Sequence, residues 1–427
     1  MGLNNAMNSG ISGLQSFSNS MSVIGNNLAN TNTTGFKAGR TLFSDLIPNN
    51  VSGSGGISQI GSGTTLSTVD NIFSQGSLES TSSATDLAIE GPGFFVVRYP
   101  NSQNNHYTRA GAFYLDNNGF LVNPEGYIVQ GFERNEGAGY ADFTSDIQID
   151  NRSFVQAEAT SKVDLTTNLN SQAEIIEGGW DIDDPSGTSN FSTTTLVYDS
   201  LGETHLITVY FTKTGVNEWE YNVTVPLDPD DPMVVAVEGT FTFDENGILT
   251  EIDGVDEENH PNWPAIKTIE GELAWNNGSN PDNVIEFTMN LTQFATESRV
   301  MTQEANGCAS GSLTSIAVDI DGVITGIYSN GQTKDLAKLA LAKFSNDNGL
   351  SKVGKNLFEA TGDSGPPMVG TPGSGVGKIF SYALEKSTVD IAAEFAKMII
   401  TQRSFQAVSK TITTTDEMLN EVINLKR

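Results

Sequence analysis

The chain has 427 residues, with 22 Lys and Arg against 52 Asp and Glu, for a formal net charge of −30. That balance excludes nucleic acid and insertion into, or adhesion to, an anionic membrane surface, since both repel an acidic protein. A hydrophobic content of 37%, 43 glycines and a single cysteine, Cys308, indicate several turn-rich domains and exclude an internal disulfide framework.

The first element is a helix without charge before Lys37. Leu3, Gly10, Phe17 and Ile24 recur every seven residues, and Met7, Leu14, Met21 and Leu28 form a second such series. Between them stand Asn, Ser, Gly and Gln, which are poor helix formers. The helix therefore needs a partner, and two heptad series predict a coiled-coil seam. Neither a basic nor an apolar leader precedes it, which predicts no cleaved secretory signal. No apolar run reaches the length of a membrane span.

After this helix comes Ala29-Asn30-Thr31-Asn32-Thr33-Thr34-Gly35-Phe36-Lys37, a helix stop followed by a turn. The run resembles the signature of the bacterial flagellar axial proteins, the rod and hook family, on Ala29, Asn30, Thr31, Gly35, Phe36 and Lys37. Residues 41–71 follow as a Ser- and Gly-rich linker by composition.

From Ile72 the pattern turns to short β-strands punctuated by glycine, among them Asp86–Val97 and Tyr107–Phe113. Asp116-Asn117-Asn118-Gly119 reads as a hairpin turn, and Asp199-Ser200-Leu201-Gly202 and Asp244-Glu245-Asn246-Gly247 repeat its chemistry. A calcium loop at Asp244–Gly247 lacks the alternating Asp ligands and the trailing Glu. Residues 72–150 and 284–363 read as one discontinuous β-domain. Residues 151–283, acidic and holding all four tryptophans, read as an antiparallel β-domain inserted into it, followed after 363 by a second linker at 364–379.

The last forty residues contain neither Gly nor Pro and predict one long helix. Ile391, Met398, Phe405, Ile412 and Leu419 recur every seven residues, with Phe395 and Ile423 in an interleaved second series through Gln402, Ser409 and Asp416. The fold expected is mainly β, with a terminal coiled-coil domain built by 1–40 and 380–427. Fourteen apolar seam residues are few for two such helices, which predicts ends that order only when further helices close around them.

No chemistry emerges. His106, His205 and His260 lie far apart and none has metal-ligand spacing. Cys308 reads as a lone buried thiol, and Gly370–Lys378 lacks the Ser or Thr of a phosphate loop. No catalytic, cofactor-binding or metal-ligating residue is expected.

Leu384–Ile391, Glu394-Phe395, Met398-Ile399, Gln402-Arg403 and Thr413–Leu419 resemble the C-terminal motif of the same axial family. Thr388 stands where that family carries Asn. With its acidic insert the chain resembles the hook members rather than the shorter rod members. That resemblance implies a homopolymeric, flexible tube joining rod to filament. It implies rod, hook-cap and hook–filament junction proteins as neighbours, passage through the flagellar type III export apparatus, and an extracellular position. It implies no cofactor. The alternatives are a stiff distal-rod subunit and, in a different class, a secreted adhesin or glycan-binding protein.

Overall fold

The computed structural model describes residues 2–53, 56–135, 139–150, 154–225, 234–256, 275, 277–280 and 284–425. The acidic runs at 228–232 and 257–258, His260 and Trp263 lie outside these residues. So do the side chains of Leu3 and Ile423. The chain is mainly β with two long helices, α1 (Gly2–Ala29) and α2 (Ile391–Leu425). It divides into two compact units, the first made of Met1–Asn151, Ser315–Gly326 and Lys334–Arg427, the second of Arg152–Thr314 and Ile327–Thr333.

In the first unit, α1 runs antiparallel to α2. Asp390 caps α2, its Oδ1 accepting from the backbone N–H groups of Ala392 and Ala393 at 2.9 and 3.1 Å. The expected linker 41–71 is instead a long hairpin. Strands β1 (Gly39–Asp45) and β4 (Thr64–Asn71) pair antiparallel, and β2 (Asn49–Gly53) pairs with β3 (Gly56–Ile60). The sequence hides it because its anchors are polar. Ser16 Oγ donates to Thr64 O, and the Asn27 amide both donates to Gly39 O (2.8 Å) and accepts from Gly39 N (2.9 Å). A strand held by hydrogen bonds to a neighbouring helix shows no alternation of apolar residues.

The β-part of this unit is centred on Phe94–Arg98, which pairs with Asn105–Thr108, and through it with Leu357–Glu359 and Ser351–Gly354. Its core gathers Phe94, Val96, Tyr107, Phe344, Leu350 and Phe358. The expected linker 364–379 contributes here too: Met368–Gly370 pairs with Leu341–Lys343, and Lys378–Ser381 begins a ladder with Leu87–Glu90.

The second unit holds a six-stranded antiparallel sheet from Phe191–Tyr198 to Val255–Asp256, in chain order. Its buried face carries Val209, Phe211, Trp219, Tyr221 and Phe241. A second, three-stranded sheet sets Glu286–Phe294 parallel to Lys162–Asn170, with Arg299–Ala305 on the other edge. A parallel pair needs a long crossover, so the antiparallel expectation for this region is incomplete. It also moves the boundary. Phe287, Met289 and Leu291 belong to this core, and the unit runs past 283 to Thr314. Cys308 is buried in it as a free thiol.

The turn chemistry is uniform. In Asp116, Asp199 and Asp244 one carboxylate oxygen accepts from the backbone N–H groups two and four residues on. The glycine three residues on holds a positive φ of 80–85° in each case, a region few other residues enter. Asp319 repeats the device ahead of Gly322.

A fragment of residues 152–333 is therefore expected to unfold in one cooperative thermal transition. The shorter fragment 151–283, which lacks two of the three strands of the parallel sheet, should show no transition and random-coil amide shifts. A cooperative melt of the shorter fragment would contradict this division.

Candidate assembly surface

The sequence motif after α1 builds a buried ionic centre. Asn30 closes the helix through its amide, which donates to Asn26 O at 2.9 Å, and Thr31 Oγ1 donates to Leu28 O. Gly35 then turns the chain at φ +68°. A Cβ there would come within 2.6 Å of backbone atoms of Arg109 and Ala110, so only glycine fits. Phe36 and Lys37 follow as buried residues. Lys37 Nζ lies 2.6 Å from both Glu385 Oε1 and Ser74 O. Arg109 NH1 approaches the other carboxylate oxygen at 3.4 Å, and its NH2 donates to Gly91 O at 2.8 Å.

Glu385 thus sits between two cations, and it also accepts from Gly76 N at 2.7 Å. Its backbone carbonyl takes the N–H of Gly35 at 2.7 Å. Both Lys37 and Glu385 are fully buried. Burial pushes the Lys37 ammonium below the usual lysine value, while the Glu385 charge and hydrogen bond pull the other way. Arg109 is lowered for the same reason. Beside this centre, Thr388 Oγ1 accepts from Ala38 N at 3.0 Å, so the departure from Asn keeps a hydrogen-bonding side chain. One carboxylate thereby fixes where both ends of the chain leave the β-part.

Beyond that point the helices meet through small and polar side chains. Gly10, Gly13, Ser16, Ser20, Ile24 and Asn27 are the buried positions of α1. A Cβ on Gly10 would lie 2.7 Å from Ile412, and one on Gly13 3.5 Å from Val408. At the other end Asn27 Nδ2 donates to Glu394 Oε2 at 3.1 Å. Along α2, Glu394, Thr401 and Thr415 are only 4–8% exposed.

The seven-residue period holds, but the second series lies one residue earlier than expected in both helices. It runs through Gly13, Ser20 and Asn27 rather than Leu14, Met21 and Leu28. In α2 it runs through Glu394, Thr401, Val408 and Thr415 rather than Phe395, Gln402, Ser409 and Asp416. The first series keeps its place in part: Gly10 and Ile24 are buried, Phe17, Met398, Ile412 and Leu419 half-buried, and Ile391 and Phe405 exposed. Met7, Leu14, Met21 and Leu28 are half-buried as well. In the structure the two helices lie side by side within one chain.

The shift leaves apolar residues outside. Phe395 is 50%, Ile399 51%, Ile400 65% and Phe405 41% exposed, and Ile391 and Met418 are exposed as well. Helix pairs inside one chain normally bury their apolar stripe; here glycines and polar side chains hold much of the buried seam, while several large apolar side chains face out. Ile399, Ile400 and Met418 were missed in the sequence because they fall outside both heptad series. Exposed apolar surface continues on the hairpin at Leu42, Phe43, Ile47 and Ile60. A surface of this kind marks an interaction site.

Curated relatives agree across the whole length. Flagellar hook protein FlgE of Treponema pallidum is 36% identical, over 98% of this chain and 99% of that protein. The same-named protein of Salmonella typhimurium is 33% identical, over 97% and 98%. The chain belongs to the flagellar hook protein family. Four family models match hook and rod segments in order. The flagella basal body rod protein model takes 7–37, the flagellar hook protein FlgE/F/G D1 domain 88–168, the flagellar basal body protein FlaE D2 domain 168–308, and the flagellar basal body rod FlgEFG protein C-terminal model 381–425. Lys37, Arg109 and Glu385 thus fall in three different matched segments. A crystal structure of Helicobacter pylori flagellar hook protein FlgE2 shares the fold, with a TM-score of 0.51 over 72% of this chain and 100% of that one at 17% identity.

Glu385→Gln leaves Lys37 without its counter-charge and Arg109 with only that of Asp347, and should cost about 3–5 kcal/mol in urea unfolding of the first unit. Replacing Lys37, Arg109 and Glu385 together by Met, Met and Leu should recover most of that loss. A Glu385→Gln variant within about 1 kcal/mol of the parent would remove the centre from this role.

Proposed function

We propose that the chain is the repeating subunit of a flexible helical tube, and that its two terminal helices form the tube's inner wall. The observation that carries this reading is the outward apolar stripe of α2. Ile391, Phe395, Ile399 and Phe405 fall within about 120° of one another around α2 and stay exposed beside the chain's own α1, with Ile400 and Met418 exposed elsewhere on the helix. Identical subunits joined through a contact that does not close on itself build an open helix. Each chain's inner seam then fixes the helix pair, and the outer stripe joins it to neighbours.

In this reading the ionic centre at Glu385 transmits load. Torque reaching the helix pair passes into the β-part through Lys37 and Arg109 rather than through a slack linker. The tube works as a universal joint between rod and filament, outside the cell. Its neighbours are the rod, hook-cap and hook–filament junction proteins, and the chain reaches its place through the flagellar type III export apparatus. The role is structural, with no catalysis.

Two substitutions separate the inner seam from the outer stripe. Ile400→Asp and Phe405→Asp should abolish tube formation, seen by electron microscopy and sedimentation. Because both side chains are exposed, monomer stability should stay within about 0.5 kcal/mol of the parent. Ile412→Asp, by contrast, disrupts the contact at Gly10 and should loosen the helix pair in the monomer, raising amide exchange along α1. Normal tubes from the Phe405 and Ile400 variants would refute the outer stripe.

A further inference from the structure

The second unit gathers three metal-ligating side chains that are not grouped by any sequence motif. Asp199 and Glu203 flank the Asp-x-x-Gly turn, and His205 stands two residues further along the strand Thr204–Gly215. One ligand atom from each lies within 4.8 Å of the others. We propose that Asp199, Glu203 and His205 bind a divalent cation of the zinc class.

The arrangement is held in place before any ligand arrives. Asp199 is buried, and its Oδ1 is taken by the N–H groups of Leu201 and Glu203, both at 2.9 Å. Its Oδ2 is left to face His205 Nε2 at 3.2 Å. Burial alone would raise the Asp199 carboxyl, but hydrogen bonds from Asn277, Glu203, His205 and Leu201 together hold it below the usual range. His205 is clamped in orientation by Trp275, whose ring stacks on it at 3.8 Å and 12°. A ligand oriented by its surroundings binds more tightly than a free one.

Two further features point to a ligand here. The amide of Asn277 sits between the carboxylates, its Nδ2 2.5 Å from Asp199 Oδ2 and 2.7 Å from Glu203 Oε2. That is the positive end of a neutral dipole where a cation would lie. Trp275 is only 5% exposed, yet its Nε1–H has no acceptor among the described residues. Its ring is the one stacked on His205, so this unpartnered donor belongs to the wall of the same cluster. Donors around zinc at about 2.0–2.1 Å stand roughly 3.3 Å apart. Closing the present spacing falls to Glu203, the exposed member, whose Oε2 would exchange its bond from Asn277 Nδ2 for the cation. Water fills the fourth position, since Asn277 Oδ1 already accepts from Ser279 N at 2.9 Å.

An imidazole beside two carboxylates selects zinc-like ions over calcium and magnesium, which take oxygen alone. The site would pin Trp275 and residues 277–280 to the turn, where Asn280 N already donates to Ser200 Oγ at 2.8 Å.

The test is isothermal titration of the full chain with Zn²⁺, then Ca²⁺ and Mg²⁺, together with thermal melts. One saturable Zn²⁺ per chain is expected, with a rise in the melting midpoint of the second unit. His205→Gln and Glu203→Gln should each weaken binding at least about tenfold; Glu203 is exposed, so its variant keeps the fold. Absence of saturable Zn²⁺ binding, unchanged affinity in either variant, or Ca²⁺ binding as tight as Zn²⁺ would each overturn the proposal.

Discussion

The architecture of the first unit depends on one buried carboxylate. Glu385 meets Lys37 from the N-terminal side of the chain, Arg109 from the β-part, and Gly76 and Gly35 through their backbone. A charge in that position is tolerated only while its partners surround it. Residues more than three hundred positions apart are thereby brought to one point. Each end of the chain then continues as a helix from a fixed origin, which is what lets the two helices run side by side.

Their contact follows from what the side chains allow. Glycines at 10 and 13 admit Ile412 and Val408 closely, and a polar pair, Asn27 and Glu394, sets the register at the other end. Using small and polar residues for the inner contact frees Phe395, Ile399, Ile400 and Phe405 to face outward. In a monomer that is a liability for solubility; in a polymer it is the material of the next contact. In the proposed tube the same hydrophobic effect that normally closes a single chain would act between chains.

Much of this was legible in the sequence, for reasons that differ by residue. Asp116, Asp199 and Asp244 each announced their turns, because an Asp that accepts two backbone N–H groups and a glycine with positive φ form a local code. The seven-residue period of both helices was also plain. Which neighbouring series faced inward was not, since apolarity pointed to Phe395 and Leu14 while close approach favoured Glu394 and Gly13. The hairpin at 39–71 was hidden because its strands are anchored by Ser16 and Asn27 rather than by apolar alternation. Lys37 was visible as part of a motif, but its partner Glu385 lies 348 residues away. Likewise, His205 had no metal-ligand spacing in the chain; Trp275 stacks on it, and Asn277 reaches its neighbours Asp199 and Glu203, only in the fold.

The central claim is that the polar seam lies within each chain and the apolar stripe between chains. A side-chain-resolved cryo-electron microscopy map of the assembled tube tests it most directly. The account predicts Ile412 against Gly10 of its own chain, and Phe395, Ile399, Ile400 and Phe405 buried against neighbouring subunits. A map in which those four side chains face solvent, or in which α1 pairs with the α2 of another subunit, would contradict it.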